Sequence, residues 1–150
     1  MQRSTPLWLL ICLTVFAPCR AEEVPLSAIV EAAATFYATG FGASLPAARV
    51  AEPTIVHTAA IDQRPTYHVL NYPQGGWIIV SGDDRFHPII AFSRTGAYSP
   101  EASKPIQFQA WMSGIDDEFA AAFGTPGPQS TEIAKRWARL SLPVEETITE

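Results

Sequence analysis

Cysteine is almost missing from this chain. Cys12 and Cys19 are its only two, and both fall within the first 21 residues. The remaining 129 residues therefore hold no disulfide staple, no thiol nucleophile and no cysteine ligand for a metal. Basic residues are also scarce: 10 stand against 15 acidic ones, a formal charge of −5. That balance disfavours nucleic acid and anionic membrane surfaces as partners. Histidine occurs three times, as His57, His68 and His87, with no spacing that repeats a metal motif. The longest apolar run, Leu7 to Ala17, is too short to span a bilayer.

That run has another use. Arg3 ahead of it and the small residues of Cys19-Arg20-Ala21 behind it give residues 1–21 the form of a secretory signal, with cleavage expected after Ala21. Lipid attachment at Cys19 is the alternative, and Pro18 directly before that cysteine counts against it. The chain is thus expected to be secreted or periplasmic. Removal of 1–21 takes Arg3 and Arg20 with it and leaves 8 basic against 15 acidic residues, a charge of −7. Residues 22–142 read as one domain and 143–150 as a loose acidic tail. A domain of this size buries about two thirds of its unfolded surface and can rest on a hydrophobic core alone.

What is present is a run of strands with their turns written out. Tyr67 to Tyr72 and Trp77 to Val80 are aromatic and β-branched, and Pro73-Gln74-Gly75-Gly76 between them is hairpin chemistry. Gly82-Asp83-Asp84-Arg85 turns the chain again before a third run, Ile89 to Ser93, which Pro88 introduces. Thr54 to Thr58 suggests a short edge strand. Both faces of Trp77 to Val80 are apolar, which places that strand centrally with cover on both sides. Leu26, Ile29, Val30, Ala33, Phe36 and Tyr37 recur at helical spacing, predicting a helix over 27–40 with Ser27 as its N-cap. Residues 43–53 read as a connection. Phe108, Trp111, Met112, Ile115, Phe119 and Phe123 predict a second helix over 106–123, and Gly124 to Pro128 ends it. A third helix is expected over 132–140, capped by Ser130 or Thr131. The fold class is α+β: a small antiparallel sheet of three or four strands packed by about three helices in a single domain.

Catalytic chemistry finds little support. Asp83 and Asp84 are adjacent in a turn, where aspartate bonds its own backbone and neighbouring side chains diverge. Ser81 stands in Val-Ser-Gly-Asp, which is not a nucleophile elbow. Gly75-Gly76 lacks the strand-then-helix setting of a phosphate loop. Asp116, Asp117 and Glu118 read as a solvated helix stripe. The chain is read as a protein without catalytic residues, metal or cofactor.

The ordered set Trp77-Ile78-Ile79-Val80-Ser81-Gly82-Asp83-Asp84-Arg85, Pro88 to Ser93, Gly96 and Trp111-Met112 resembles the propeptide of streptopain-type cysteine peptidases and the stand-alone Spi inhibitors related to it. The likeness covers 27–123. It implies inhibition of a streptopain-like, papain-fold cysteine peptidase by the loop between the third of these strands and the following helix. The matching residues are Ser99, Pro100, Glu101, Lys104, Pro105 and Ile106. The family propeptide has an asparagine near the end of this loop; here Lys104-Pro105 stands there, and the loop is slightly longer. Lys104, Pro105 and Ile106 are the expected cleft contacts, while Tyr98 and Trp111 are expected to hold the loop's ends in the core. Pro100 and Pro105 remove backbone donors and fix φ, which makes the loop a poor substrate for a groove that reads extended backbone. Other readings on the same scaffold are an orphaned propeptide that assists folding of a separate peptidase, and a secreted module for another protein or a glycan. No nucleic acid, no membrane after signal cleavage and a monomeric free state complete the expectation.

Overall fold

A computed structural model describes residues 23–41, 52–125 and 127–141. The proposed signal, most of the 43–53 connection and the acidic tail lie outside the described residues. The sheet has four antiparallel strands in simple order: β1 (Thr54–Ile61), β2 (Arg64–Asn71), β3 (Trp77–Ser81) and β4 (Ile89–Ser93). Three helices, α1 (Leu26–Phe36), α2 (Ile106–Gly124) and α3 (Thr131–Leu140), pack on it, so the fold is α+β in one small domain. No helix among the described residues is long and apolar enough to cross a membrane.

The sheet is covered on both faces, as the doubly apolar β3 requires. On one face Leu70, Ile78 and Val80 meet Ile29 and Ala33 of α1 and Trp137 of α3. On the other, Tyr67, Val69 and Ile79 meet Phe119 of α2. Ile78, Ile79, Val80 and Phe119 are entirely excluded from solvent. Phe119 stacks on Phe86 at 4.0 Å between ring centres, which anchors the C-terminal half of α2. Tyr72 donates its hydroxyl to the Ala33 carbonyl at 2.8 Å and ties α1 to the sheet. Burial of that phenol pushes its pKa up.

Several boundaries depart from the sequence reading. α1 begins one residue early, with Pro25 as N-cap and no side-chain cap, so Ser27 stands inside the first turn. Pro25 suits this place because a helix N-terminus has no partner for its N–H. Leu26, expected on the inward stripe, is exposed. The helix then widens into a π turn, Tyr37–Phe41. β1 runs to Ile61 instead of Thr58, and β2 starts at Arg64. The two are joined by Asp62-Gln63, both at positive φ (50° and 67°). This is the left-handed two-residue turn that suits strand twist, built here without glycine. β4 is as read, and α2 and α3 each differ by one residue. Ser130 caps α3 by accepting from the Ile133 N–H at 3.2 Å.

A buried ionic knot closes the turn between β3 and β4. Asp83 is fully buried, and its carboxylate accepts from Arg64 Nη2 at 2.6 Å, Arg85 Nε at 2.9 Å, Arg85 Nη2 at 3.0 Å and the Arg85 N–H at 3.0 Å. Arg85 in turn donates to the Ala122 and Thr125 carbonyls at the end of α2. Both guanidinium groups lie over the Phe123 ring. The turn aspartate does bond its own backbone, as its position implied, and it also fastens the sheet to the C-terminus of α2. α3 is held to the same turn through Trp137 Nε1 to the Phe86 carbonyl and Gln129 Nε2 to the Asp84 carbonyl.

Candidate functional site

The connection from β4 to α2, residues 94–105, is braced from both sides. Gly76 donates its N–H to the Gly96 carbonyl at 2.7 Å. Its φ is 94°, and a Cβ there would lie 2.6 Å from the Ser93 carbonyl oxygen, so the contact needs glycine. Asn71, at the end of β2, accepts from the Tyr98 N–H at 2.8 Å and donates to the Tyr98 carbonyl at 2.9 Å. One side chain thus satisfies both backbone groups of the residue that opens the loop. The Tyr98 ring meets Trp77 edge-on at 5.9 Å and lies 6.2 Å from His57. At the far end Gln109 donates to the Lys104 carbonyl at 2.7 Å, and its N–H to the Pro105 carbonyl.

Lys104 does not reach outward, as a cleft contact would. Its ammonium donates back to the Ser99 and Ala102 carbonyls and sits 4.4 Å from the centre of the Tyr98 ring. It neutralises carbonyls that no helix or strand partner serves, and it gathers the loop around its charge. Ser99, Pro100, Glu101, Pro105 and Ile106 are exposed, Ile106 by 70%. The Ser99 hydroxyl donates to Glu101 at 3.3 Å. Beneath the loop a hollow of about 320 Å³ is lined by Trp77, Tyr98, Ala102, Lys104, Pro105 and Phe108. The loop is therefore held over a shaped recess, with an exposed apolar residue, Ile106, where it joins α2.

Trp111, expected in the core, is 41% exposed. The inward stripe of α2 is Phe108, Met112, Ile115 and Phe119, at i, i+4, i+7 and i+11. Trp111 precedes Met112 by one position, which rotates it to the flank of that stripe, where it packs on Phe108 at 5.8 Å. With Ile106 it leaves two large apolar side chains exposed in α2's first two turns. The roles of Asn71 and Gln109 escaped the sequence reading, since an amide near a strand end or helix start carries no pattern of its own.

The residues weighed for catalysis occupy structural places. His68 is buried in β2 with Nδ1 2.9 Å from the Thr58 hydroxyl, and burial lowers its pKa, with Glu23 acting the other way. His57 faces Tyr67, and His87 is exposed. The Ser81 hydroxyl donates to the Asp83 carbonyl at 2.8 Å. Burial, then the charge of Asp116, pushes Tyr67 up to about 12. Burial and neighbouring Asp117 also raise Asp116, against His57. Among the described residues no three His, Cys, Asp or Glu side chains lie together as metal ligands would.

A family model described as Spi protease inhibitor matches residues 32–119, more than half of the chain. The match runs from α1 through the sheet and the β4–α2 loop to Phe119. No curated protein and no solved structure matches.

Proposed function

The chain belongs to the Spi protease inhibitor family, and from that we propose that it is an exported, stoichiometric inhibitor of a streptopain-like, papain-fold cysteine peptidase. The β4–α2 loop enters the cleft, and the chain has no catalytic role of its own. The observation that carries this reading is the braced loop with Ile106 exposed at its end. Asn71, Gly76 and Gln109 hold both ends, and Lys104 holds the middle, so the loop loses little conformational entropy on binding.

The work divides between two kinds of residue. Ser99, Pro100, Glu101, Pro105 and Ile106 form the surface that meets the peptidase, with Ile106 filling an apolar subsite. Lys104 keeps them in place. Pro100 and Pro105 deny the enzyme the backbone donors that a cleavable strand would offer, and this lets the chain occupy the cleft uncut. Cleavage after Ala21 would deliver the protein to the compartment where such peptidases act.

Burying an isoleucine contributes about 1.5–3 kcal/mol, which corresponds to roughly 10–100-fold in affinity. Ile106→Asp should therefore raise the inhibition constant by about that factor while the thermal midpoint stays put. Lys104→Ala should weaken inhibition by loosening the loop, with faster amide exchange over 99–104. An Ile106→Asp chain that inhibits as well as the parent would remove the loop from the mechanism. A chain that raises the refolding yield of a denatured peptidase without inhibiting the folded one would favour the folding-assistant role instead.

A further inference from the structure

β4 is the last strand of the sheet, and no described strand pairs with its outer edge. Such an edge presents a row of backbone donors and acceptors to any strand that fits it. Here the edge is also hollowed on both faces. On the side of α1 and α3 a groove of about 630 Å³ is lined by Phe36, Ile89, Phe92, Arg136, Arg139 and Leu140. On the side of α2 a smaller hollow of about 240 Å³ is lined by Phe86, Ile90, Ile115, Glu118 and Phe119. His87, Ile89 and Ile90 line both.

An added strand would send alternate side chains to opposite faces, one set into each hollow. The larger groove is rimmed by exposed Arg136 and Arg139, in a chain whose net charge is −5. Arg136 is shared with Glu132 on the same helix at 3.2 Å, and Phe92, 48% exposed, forms the groove's apolar floor with Phe36. The smaller hollow is apolar except for His87 and Glu118, so it suits aliphatic side chains, and Glu118 disfavours carboxylates there. We propose that the β4 edge receives an extended strand of the target peptidase that alternates acidic with aliphatic residues, as a fifth strand of the sheet. This contact is separate from the β4–α2 loop and rests on the inhibitor reading above.

Charge argues against a second copy in this place, because pairing β4 with itself would bring the same arginines together. Pro88 and the register shift at Ile90 also spoil a long regular edge and so protect it from indiscriminate pairing. A strand matched to the two hollows overcomes that protection.

The test uses the chain from Glu22 to Glu150, isotopically labelled and titrated with a blocked heptapeptide alternating valine and aspartate, and then with its valine–lysine counterpart. The acidic peptide should shift amide resonances over Ile89–Ser93 and at Arg136 and Arg139. The lysine peptide should not, and Arg136→Glu/Arg139→Glu should weaken acidic-peptide binding at least tenfold. Equal binding of the two peptides, or shifts confined to other elements, would overturn the proposal. So would slow amide exchange of β4 in the free chain that becomes fast when the chain is cut after Ser141, since residues 142–150 would then be the occupant. A dimer joined through β4 in sedimentation would overturn it as well. Against the peptidase, the double arginine variant should also lose inhibition tenfold or more. If only loop variants lose inhibition, the edge proposal fails and the inhibitor reading stands. If the parent chain inhibits no streptopain-like peptidase, that reading fails, and the peptide titration still reports on the edge.

Discussion

Replacing Asp83 with asparagine keeps the shape of the turn and removes the charge that two arginines share. The Asp83 side chain is 1% exposed, Arg85 is 10% and Arg64 is 33%. Arg64 is exposed enough that its pair contributes at most about 1 kcal/mol. Arg85 is different, because it is held in the interior by two side-chain bonds to Asp83 and cannot swing out without leaving the Ala122 carbonyl. Removing one partner of a buried pair costs about 3–5 kcal/mol, since a desolvated charge is left behind. For a domain of this size that is a fall of about 12–25 °C in thermal midpoint. Urea unfolding followed by tryptophan fluorescence reads the change, with the dependence on denaturant expected to stay the same. Asp117→Asn, on an exposed position of α2, serves as the control and should remain within about 0.5 kcal/mol. A loss below about 1 kcal/mol at Asp83 would rule out a buried, mutually dependent pair. It would mean that Arg85 finds water or another acceptor at no cost.

Three further outcomes follow from the same geometry. Gly76→Ala should cost about 1–3 kcal/mol, because the left-handed φ and the approach of the Ser93 carbonyl both exclude a Cβ; an unchanged urea midpoint would contradict it. Asn71→Ala should leave the Tyr98 backbone without its two bonds, cost about 1–2 kcal/mol and speed amide exchange at Tyr98; full protection in the variant would show that the loop is held by other means. His68 titrates below its ordinary value in the folded state because burial opposes its charge, so the unfolded chain binds the proton more readily. Stability should therefore drop as pH falls below about 6.5, and this part of the drop should vanish in His68→Gln; identical pH profiles for the two proteins would contradict the assignment.

Legibility varied along the chain for physical reasons. β3 and β4 could be read to within a residue because a doubly apolar run bounded by Gly-Gly and Gly-Asp-Asp admits few alternatives. α3 was equally plain, since Ser130, Ile133 and Trp137 state both its cap and its buried face. The β1–β2 hairpin was hidden. Asp62 and Gln63 adopt left-handed backbone without a glycine to advertise it, and β2 carries Pro65 near its start. That proline sits opposite the edge strand β1, next to the register shift after Ala59, where a missing donor is tolerated.

In the candidate site the loop's position and most of its exposed residues were readable from the likeness to the family and from the two prolines. The inward fold of Lys104 was not. A lysine beside a proline carries no sign of whether solvent or its own loop's carbonyls will take the charge, and that choice depends on where the Tyr98 ring stands. Trp111 failed similarly, because tryptophan at helical spacing fits the centre of a buried stripe and its flank alike.

Inhibition itself is measured by titrating an active streptopain-like peptidase, taken from the same genome, with the chain from Glu22 to Glu150 and following residual activity and the intact mass of the added chain together. Activity should fall linearly to an end point at one chain per active enzyme, with the chain uncut throughout. Full activity at a molar excess, or cleavage of the chain within 99–106 as activity returns, would contradict the inhibitor reading.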